Sequence, residues 1–160
     1  MRIGVMSDSH GRMHVVEQAL AILREKGVRT VIHCGDIDDA CTVRLFAGWN
    51  THFVLGNCDI DREILKEAME EINATLHEPF GSLELEGRKI GFIHGHNDSL
   101  MREMKRSGRF DYLFHGHTHK PDDYQFGSTR VINPGALHRA VPKTFISLDL
   151  GTEEIEYFAL

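Results

Sequence analysis

The sequence predicts an α/β fold in which two packed β-sheets are covered by helices on their outer faces. Three observations carry this prediction. Apolar strand patterns alternate with helical patterns over the first third of the chain, which indicates parallel strands joined by crossover helices. The last third of the chain is almost entirely strand-like. No repeat, low-complexity tract or Pro/Gly/Ser-rich linker divides residues 1–160, so we expect a single domain.

Apolar spacing defines the elements at the start of the chain. Short apolar or β-branched runs that stop at Ser-Asp, Gly-Asp or Gly-Asn pairs indicate buried strands. Val16, Leu20 and Leu23 recur at helical spacing, and Gly27 ends that helix. The predicted order is strand 2–6, helix 13–26, strand 30–34, helix 39–47 and strand 51–55.

The remaining chain contains two helical patterns and a long series of strands. Glu63, Lys66 and Glu70 lie at i,i+3 and i,i+4 spacing, which favours a helix. Gly87-Arg88 separates two strand patterns and suits a tight hairpin turn. The predicted elements are helix 62–72, hairpin strands 83–86 and 89–93, helix 99–106, and strands 112–114, 124–126, 130–132, 145–148 and 155–158.

Composition limits the classes of function. The chain has 160 residues, of which 41% are hydrophobic and 26% charged, as is typical of a globular domain. A chain of this length can bury roughly 70% of its unfolded surface without a disulfide or structural zinc, so a bound metal would serve function rather than folding. The formal net charge of −6 argues against a nucleic-acid partner, which needs a basic face. It does not exclude a phosphate substrate, because bound cations invert the local charge.

Cysteine usage and hydropathy predict a cytoplasmic protein. Cys34, Cys41 and Cys58 are odd in number and show no CxxC spacing, which indicates a reducing compartment. Met1 leads directly into a strand pattern, and no signal-peptide hydrophobic region is visible. No apolar run approaches the roughly 20 residues that span a membrane, so we expect no membrane partner.

Side chains with metal-binding chemistry follow the predicted strands. The carboxyl ends of parallel strands meet at one edge of a sheet, so residues far apart in sequence can converge there. Two pairs of these residues have i,i+2 spacing, which in extended chain directs both side chains to one side. The candidates, in chain order, are Asp8, His10, Asp36, Asn57, His94, His117 and His119.

Each candidate taken singly has an ordinary structural explanation. An aspartate or asparagine after a strand usually forms a turn or caps a helix, and a single histidine is often a partly buried side chain with its hydrogen bonds satisfied. The combined set is harder to explain in this way, because turns favour Asn, Asp, Gly and Ser rather than histidine. Imidazole and carboxylate groups at this density indicate a transition-metal site.

Five short blocks resemble, in order, the signature blocks of the calcineurin-like metallophosphoesterases. The resemblance extends from Met1 to about Gly135, and Asn133-Pro134-Gly135 is similar to a loop of the small bacterial and archaeal phosphodiesterase branch. The blocks are Asp8-x-His10, Gly35-Asp36, Gly56-Asn57-x-Asp59, His94-Gly95-His96 and Gly116-His117-x-His119.

The resemblance implies a fold, a metal centre and a reaction. The implied fold is a four-layer αββα sandwich of two mixed β-sheets flanked by helices. Two divalent metal ions about 3.5–4 Å apart would share a bridging hydroxide that attacks a phosphodiester in line. Manganese is the first expectation, and zinc, iron and nickel are alternatives that also accept His-rich ligation. In the implied ligand set, Asp8, His10 and His119 hold one metal, Asn57, His94 and His117 hold the other, and Asp36 bridges them.

The resemblance leaves the proton donor to the leaving group open. Many family members have histidine directly after the asparagine, whereas this chain has Cys58, as the small phosphodiesterase branch often does. A thiol near a metal can ionise and become a poor acid. A small buried filler is an equally good interpretation of Cys58. His96 is the alternative donor, so both residues are catalytic candidates.

Two other functions are alternatives to a phosphodiesterase. The same fold serves as a non-catalytic protein-binding scaffold in a eukaryotic trafficking subunit, and a phosphomonoesterase would use a similar mechanism. A scaffold can lose metal ligands, whereas this chain keeps the whole implied set, which favours an enzyme. We therefore expect a metal-dependent phosphoric ester hydrolase with a small phosphoester substrate. A homodimer is the assembly that the family relatives suggest.

Overall fold

A computed structural model describes residues 1–160 and contains eleven strands and four helices. The strands are β1 (Arg2–Met6), β2 (Thr30–His33), β3 (Asn50–Phe53), β4 (Thr75–Leu76), β5 (Gly81–Leu85), β6 (Arg88–Ile93), β7 (Tyr112–His115), β8 (Asp122–Phe126), β9 (Thr129–Asn133), β10 (Thr144–Asp149) and β11 (Ile155–Ala159). The helices are α1 (Met13–Glu25), α2 (Ala40–Arg44), α3 (Arg62–Glu71) and α4 (Asp98–Arg106). Every element predicted from the sequence is present.

The strands form two mixed sheets. The first has six strands in the order β11-β10-β1-β2-β3-β4, with β1 to β4 parallel and β10 and β11 antiparallel. The second has five strands in the order β5-β6-β7-β9-β8, parallel across β6, β7 and β9 and antiparallel at both edges. The parallel centre of each sheet places its carboxyl ends at one edge, where loops can combine into a site.

Three apolar clusters show the order of the layers. The central cluster joins the facing sides of the sheets, with Ile3 and Ile32 from the first and Phe92 and Phe114 from the second. A second cluster packs α1, α2 and α3 against the outer side of the first sheet, and a third packs α4 against the outer side of the second sheet. Leu113 belongs to the α4 cluster although its neighbour Phe114 belongs to the central one, because side chains alternate along a strand. The fold is therefore the αββα sandwich.

Local sequence explains where the helices begin and which faces they bury. Val16, Leu20 and Leu23 are buried along one face of α1, as their spacing predicts. Asp39 begins α2 by accepting a hydrogen bond from the Thr42 amide at 2.8 Å. Asn97 begins α4 in the same way. No helix is both long enough and apolar enough to cross a membrane.

Two details of the strands and their turns differ from the sequence prediction. The hairpin turn between β5 and β6 is Glu86-Gly87 rather than Gly87-Arg88. Both turn residues have positive φ, 52° and 74°, which the twist of a two-residue hairpin loop requires. The short strand β4 was not predicted, because its two residues are too few to show a hydrophobic period.

Candidate metal centre

The candidate ligands lie in loops at the carboxyl ends of strands, where the edges of the two sheets meet. By preceding strand they are Asp8 and His10 after β1, Asp36 after β2, Asn57 after β3, His94 after β6, and His117 and His119 after β7. Both sheets contribute, so the site depends on how the sandwich closes.

The loops that carry these residues are tightly curved rather than extended. Asp8 and His10 have φ of 55° and 44°, and His117 and His119 have φ of 67° and 58°. The extended geometry expected for the two i,i+2 pairs is therefore wrong, because all four residues lie in the left-handed region. Such backbone costs about 1 kcal/mol or more for each residue and persists where the surrounding structure holds it. The side chains converge because the loops fold back over the strand ends.

One group of candidate ligands contains Asp8, His10 and His119, whose ligand atoms all lie within 4.8 Å of one another. His119 Nε2 is 3.1 Å from Asp8 Oδ1. The Asp8 side chain is fully buried. These three residues come from β1 and β7, so this group spans the two sheets.

A second group of candidate ligands surrounds His94, and Asp36 lies close to a histidine of each group. His94 Nε2 is 3.4 Å from Asp36 Oδ2 and 3.1 Å from Asn57 Oδ1. The His117 ring centroid lies 5.1 Å from that of His94. On its other side, Asp36 Oδ2 is 3.6 Å from His10 Nε2. Asp36 therefore lies between the two groups.

Two buried atoms of the cluster make no hydrogen bond. They are Asp8 Oδ1 and His10 Nε2, which belong to the same group. Leaving a buried polar atom unsatisfied costs about 1–3 kcal/mol, so such atoms are uncommon without an ion or water. The Asp8 oxygen and the His10 nitrogen, both without a hydrogen bond, form with the nearby His119 nitrogen a donor set that fits a divalent cation.

The electrostatics of the two buried carboxylates differ. Burial raises the pKa of Asp8, despite the nearby Ser7 hydroxyl and the charges of His94 and His119. Burial also acts to raise the pKa of Asp36, but the hydrogen bond and charge of His94 outweigh it and hold that pKa below its ordinary value. Asp36 is therefore anionic, and a cation beside Asp8 would offset the penalty for burying its charge.

Two of the imidazoles, those of His94 and His10, have polar partners on the side away from the cluster. His94 Nδ1 donates to the Cys34 carbonyl oxygen at 2.8 Å, which directs Nε2 toward Asp36. His10 Nδ1 lies 3.1 Å from Asp38 Oδ2, which directs its Nε2 toward the same carboxylate. Carbonyl and carboxylate partners of this kind fix the tautomer and ring orientation of metal-binding histidines. Sequence reasoning did not identify Asp38, since nothing distinguishes it from a neighbouring turn residue.

Asp59 holds together the two loops that carry Asp36 and Asn57. Its carboxylate is 3% exposed and accepts hydrogen bonds from four backbone amides. These amides belong to Asp36, Ile37, Asp38 and Gly56, at 2.9, 2.8, 2.8 and 2.7 Å. The only signal for Asp59 in the sequence was its place in the Gly-Asn-x-Asp block, which gave it no role.

Two glycines allow the carboxylates to approach the backbone. A Cβ at Gly56 would overlap Asp36 Oδ1, and a Cβ at Gly116 would overlap Ser7 Oγ and come within 2.6 Å of Asp8 Oδ2. Glycine is therefore required at both positions by close approach.

The two candidate proton donors lie on different sides of the cluster. Cys58 Sγ lies within 4.8 Å of the ligand atoms of His10 and Asp36. The Cys58 backbone amide donates a hydrogen bond to Asp36 Oδ1 at 2.9 Å. Burial and the charge of Asp36 raise the pKa of the Cys58 thiol to about 11, so it keeps its proton at neutral pH. His96 is exposed, with its ring 5.4 Å from that of His94. Partial burial and the charge of His94 lower the pKa of His96.

Comparison with known proteins agrees with this geometry. Residues 1–153 match the family model of the calcineurin-like phosphoesterase superfamily domain. Phosphodiesterase MJ0936 of Methanocaldococcus jannaschii is 35% identical over 138 residues, covering 84% of this chain and 83% of that protein.

Solved structures extend the similarity over the whole chain. The structure of an archaeal phosphodiesterase matches with a TM-score of 0.92 at 32% identity, covering 100% of both chains. Yfce, a phosphoesterase from E. coli, matches with a TM-score of 0.71 at 22% identity over 99% of both chains, which shows a shared fold. With the family model matching nearly the full length, the chain belongs to the calcineurin-like phosphoesterase superfamily.

Proposed function

We propose that this protein is a dinuclear metal-dependent phosphoesterase that hydrolyses small phosphodiesters, with residues 1–160 acting as one domain. The observation that carries the proposal is a pair of buried atoms that make no hydrogen bond, Asp8 Oδ1 and His10 Nε2, within a cluster rich in histidine and carboxylate. Family membership and the phosphodiesterase relatives support the class of reaction.

The arrangement of side chains supports two cation positions with a shared carboxylate. Asp36 Oδ2 is nearly equidistant from His10 Nε2 and His94 Nε2, at 3.6 and 3.4 Å, which suits a bridging ligand. Mixed nitrogen and oxygen donors suit Mn²⁺, with zinc, iron and nickel as alternatives. The proposed ligands are Asp8, His10 and His119 for one cation, Asn57, His94 and His117 for the other, and Asp36 for both.

The side chains prepare the site for phosphate chemistry. When bound, the two cations supply positive charge for the phosphate oxygens and a hydroxide for in-line attack. Asp38 and the Cys34 carbonyl hold two imidazoles with Nε2 directed into the cluster. Asp59 holds the Asp36 loop by accepting hydrogen bonds from the Asp36 and Ile37 amides. The Asp36 carboxylate therefore needs little reorganisation when a cation binds.

His96 is the better placed of the two candidate acids. Its exposed ring lies beside His94 and His117, at the open side of the cluster, where a leaving group can be reached. Cys58 Sγ instead lies among the ligand atoms of His10 and Asp36. We therefore assign proton donation to His96 and a position beside the cations to Cys58.

Hydrolysis of bis(p-nitrophenyl) phosphate with Mn²⁺, Zn²⁺, Fe²⁺ or Ni²⁺, with and without a chelator, tests the proposal. We expect metal-dependent turnover, two metal ions bound per chain, and faster cleavage of the diester than of p-nitrophenyl phosphate. Asp36→Asn should abolish turnover, because one carboxylate serves both cations, whereas the exposed-site control Asp61→Asn should not. Absence of turnover with every metal would favour the scaffold alternative, and near-full activity of Asp36→Asn would contradict the bridging assignment.

A further inference from the structure

A depression in the protein surface includes two of the proposed metal ligands in its lining. Its volume is 540 Å³, within the range of about 300–1,000 Å³ found for small-molecule sites. The two ligands are His117, which is exposed, and His119, whose side chain is 23% exposed. A molecule in the depression therefore contacts residues that would hold the cations.

The depression is basic although the chain as a whole is acidic. Lys120 follows His119 in the chain, and Arg139 belongs to the loop between β9 and β10. No carboxylate lines the depression, and neither cation forms an ion pair. The nearby Asp122 lines a neighbouring pocket instead. In a chain of formal net charge −6, these two free cations favour an anionic ligand at this place.

The loop that carries Arg139 is fixed against the loop after β1. The backbone amide of buried Leu137 donates to the Ser7 carbonyl oxygen at 3.1 Å. At the far end of the loop, Thr144 Oγ1 donates to the Pro134 carbonyl oxygen at 2.8 Å. Arg139 itself has φ of 52°, a left-handed conformation that is costly for a residue with a side chain and often occurs where a ligand is held. The backbone thus holds an exposed, unpaired guanidinium beside the metal centre.

The place of the depression indicates which part of a diester it can hold. His96, the assigned proton donor, does not line it, and the His96 ring lies 5.4 Å from that of His94 and 6.2 Å from that of His117. The depression extends instead to His119, a proposed ligand of the other cation. The leaving group departs toward the acid that protonates it, so the depression suits the ester group that stays on the phosphate.

The rest of the lining suits a carbon framework that ends in an anion. Val141 is fully exposed and lines the depression together with Pro121 and Pro142. These side chains offer apolar contacts, while Arg139 and Lys120 offer the charge. A guanidinium can bind two oxygens of one phosphate, and an ammonium adds a point charge.

We propose that this depression binds the retained ester group of phosphodiesters that carry a second phosphate, and that Arg139 and Lys120 contact this second phosphate. The preferred substrates are then diesters whose retained sugar or alcohol bears a terminal monophosphate. The inference rests on the proposed function, since it concerns the substrate of the same site.

Two esters that differ only in the second phosphate test the preference. Thymidine 3′-phosphate 5′-(p-nitrophenyl phosphate) and thymidine 5′-(p-nitrophenyl phosphate) both release p-nitrophenolate. We expect kcat/KM to be about tenfold higher for the ester with the 3′-phosphate, because two charged contacts are added at an exposed site. Raising the ionic strength from about 0.02 M to about 0.5 M should lower this ratio, since salt screens exposed charges.

Charge-removing variants assign the preference to the two cations. Arg139→Gln and Lys120→Gln should each lower the ratio by about threefold, and the double variant should bring it close to one. Arg29→Gln is the matched control, because Arg29 is exposed and precedes β2 at the opposite end of the strand from the metal centre. It should keep the ratio.

Binding of a product-like ligand provides a readout without turnover. In isothermal titrations of the Mn²⁺-loaded protein, thymidine 3′,5′-bisphosphate should bind about tenfold more tightly than thymidine 5′-phosphate. Arg139→Gln and Lys120→Gln should each reduce this difference, and Arg29→Gln should not. Both residues are exposed, so we expect their variants to fold, which circular dichroism checks.

The outcomes separate this inference from the proposed function. Equal binding of the two ligands, or a difference that both variants keep, overturns the phosphate subsite even when the ester without the 3′-phosphate is hydrolysed. A preference for the bisphosphate without hydrolysis of any ester overturns the proposed function instead.

Discussion

Replacing Asp59 should loosen the loops that carry the metal-binding side chains. Its buried carboxylate uses both oxygens. Oδ1 accepts from the amides of Ile37 and Asp38, both at 2.8 Å. Oδ2 accepts from the amides of Asp36 and Gly56, at 2.9 and 2.7 Å. Few single side chains hold four backbone donors from two separate loops, so its removal has a large and calculable effect.

The size of the effect follows from the number of amides left without an acceptor. Asp59→Asn keeps the shape but replaces one oxygen with an NH₂ group, so two of the four amides face a donor. Each unsatisfied buried donor costs about 1–3 kcal/mol, so Asn should lower the free energy of unfolding by about 2–6 kcal/mol. Asp59→Ala leaves all four unsatisfied and should remove about 4 kcal/mol or more, a large share of the roughly 5–15 kcal/mol typical of a domain.

Urea denaturation followed by circular dichroism measures this loss. Asp61→Asn is the matched control, because Asp61 is exposed and makes no side-chain capping hydrogen bond to α3. We expect that control to lie within about 0.5 kcal/mol of wild type. A similarly small loss for Asp59→Asn would show that the four amide contacts do not hold the loops together.

Three further perturbations test the site and the half-buried His52. Asp38→Ala should raise the Kd for Mn²⁺, measured by isothermal titration, by about 10–100-fold, because it releases an imidazole from its orienting carboxylate. Gly116→Ala should lower the free energy of unfolding by about 1–3 kcal/mol and weaken metal binding, because the added Cβ displaces Asp8. Burial and neighbouring His77 lower the pKa of His52 to about 4 from its ordinary 6.5. The unfolded chain therefore takes up a proton on His52 at a higher pH than the folded chain does. The free energy of unfolding then falls as the pH drops from about 6.5 to about 4. After allowance for the partial exposure of His52, we expect this fall to be about 1 kcal/mol larger in wild type than in His52→Gln.

Each of these outcomes has a control or a contrary result. Unchanged metal affinity in Asp38→Ala would mean that the imidazole is oriented by packing alone. Gly151→Ala is the control for Gly116→Ala, since its Cβ would meet only Asp149 Oδ1, at 3.4 Å. The denaturation midpoint is measured at about pH 7 and at about pH 4.5, for wild type and for His52→Gln. An equal change between these two pH values in both proteins would contradict the assignment to His52.

Local sequence pattern was sufficient for every element except β4 and for the expectation of a metal site. The spacing of apolar residues along a segment predicts whether it forms a strand or a helix. In α1, for example, Val16, Leu20 and Leu23 recur at helical spacing and are buried on one face. The order of elements then indicates parallel strands, and the side chains that follow such strands lie close together at one edge of the sheet. The residues that the structure brings together at that edge were identifiable because histidines after several strands are not explained by turn chemistry.

Contacts between distant segments were decided by the tertiary structure. The left-handed backbone at Asp8 and His117 arises where loops of different sheets close over each other, so an extended chain was the wrong expectation from i,i+2 spacing. The four amides that Asp59 binds include three that lie more than 20 residues away in the chain. Asn133 likewise reaches His115 Nδ1, at 3.4 Å, from a neighbouring strand.

The amino-acid pattern alone thus determined which residue types stand at the strand ends, since period and turn chemistry act over a few neighbours. Which atoms of those residues are paired, oriented or left without a partner was decided only when the two sheets packed together. Hydrogen bonds depend on distances of a few tenths of an ångström between segments that the chain itself does not hold near each other.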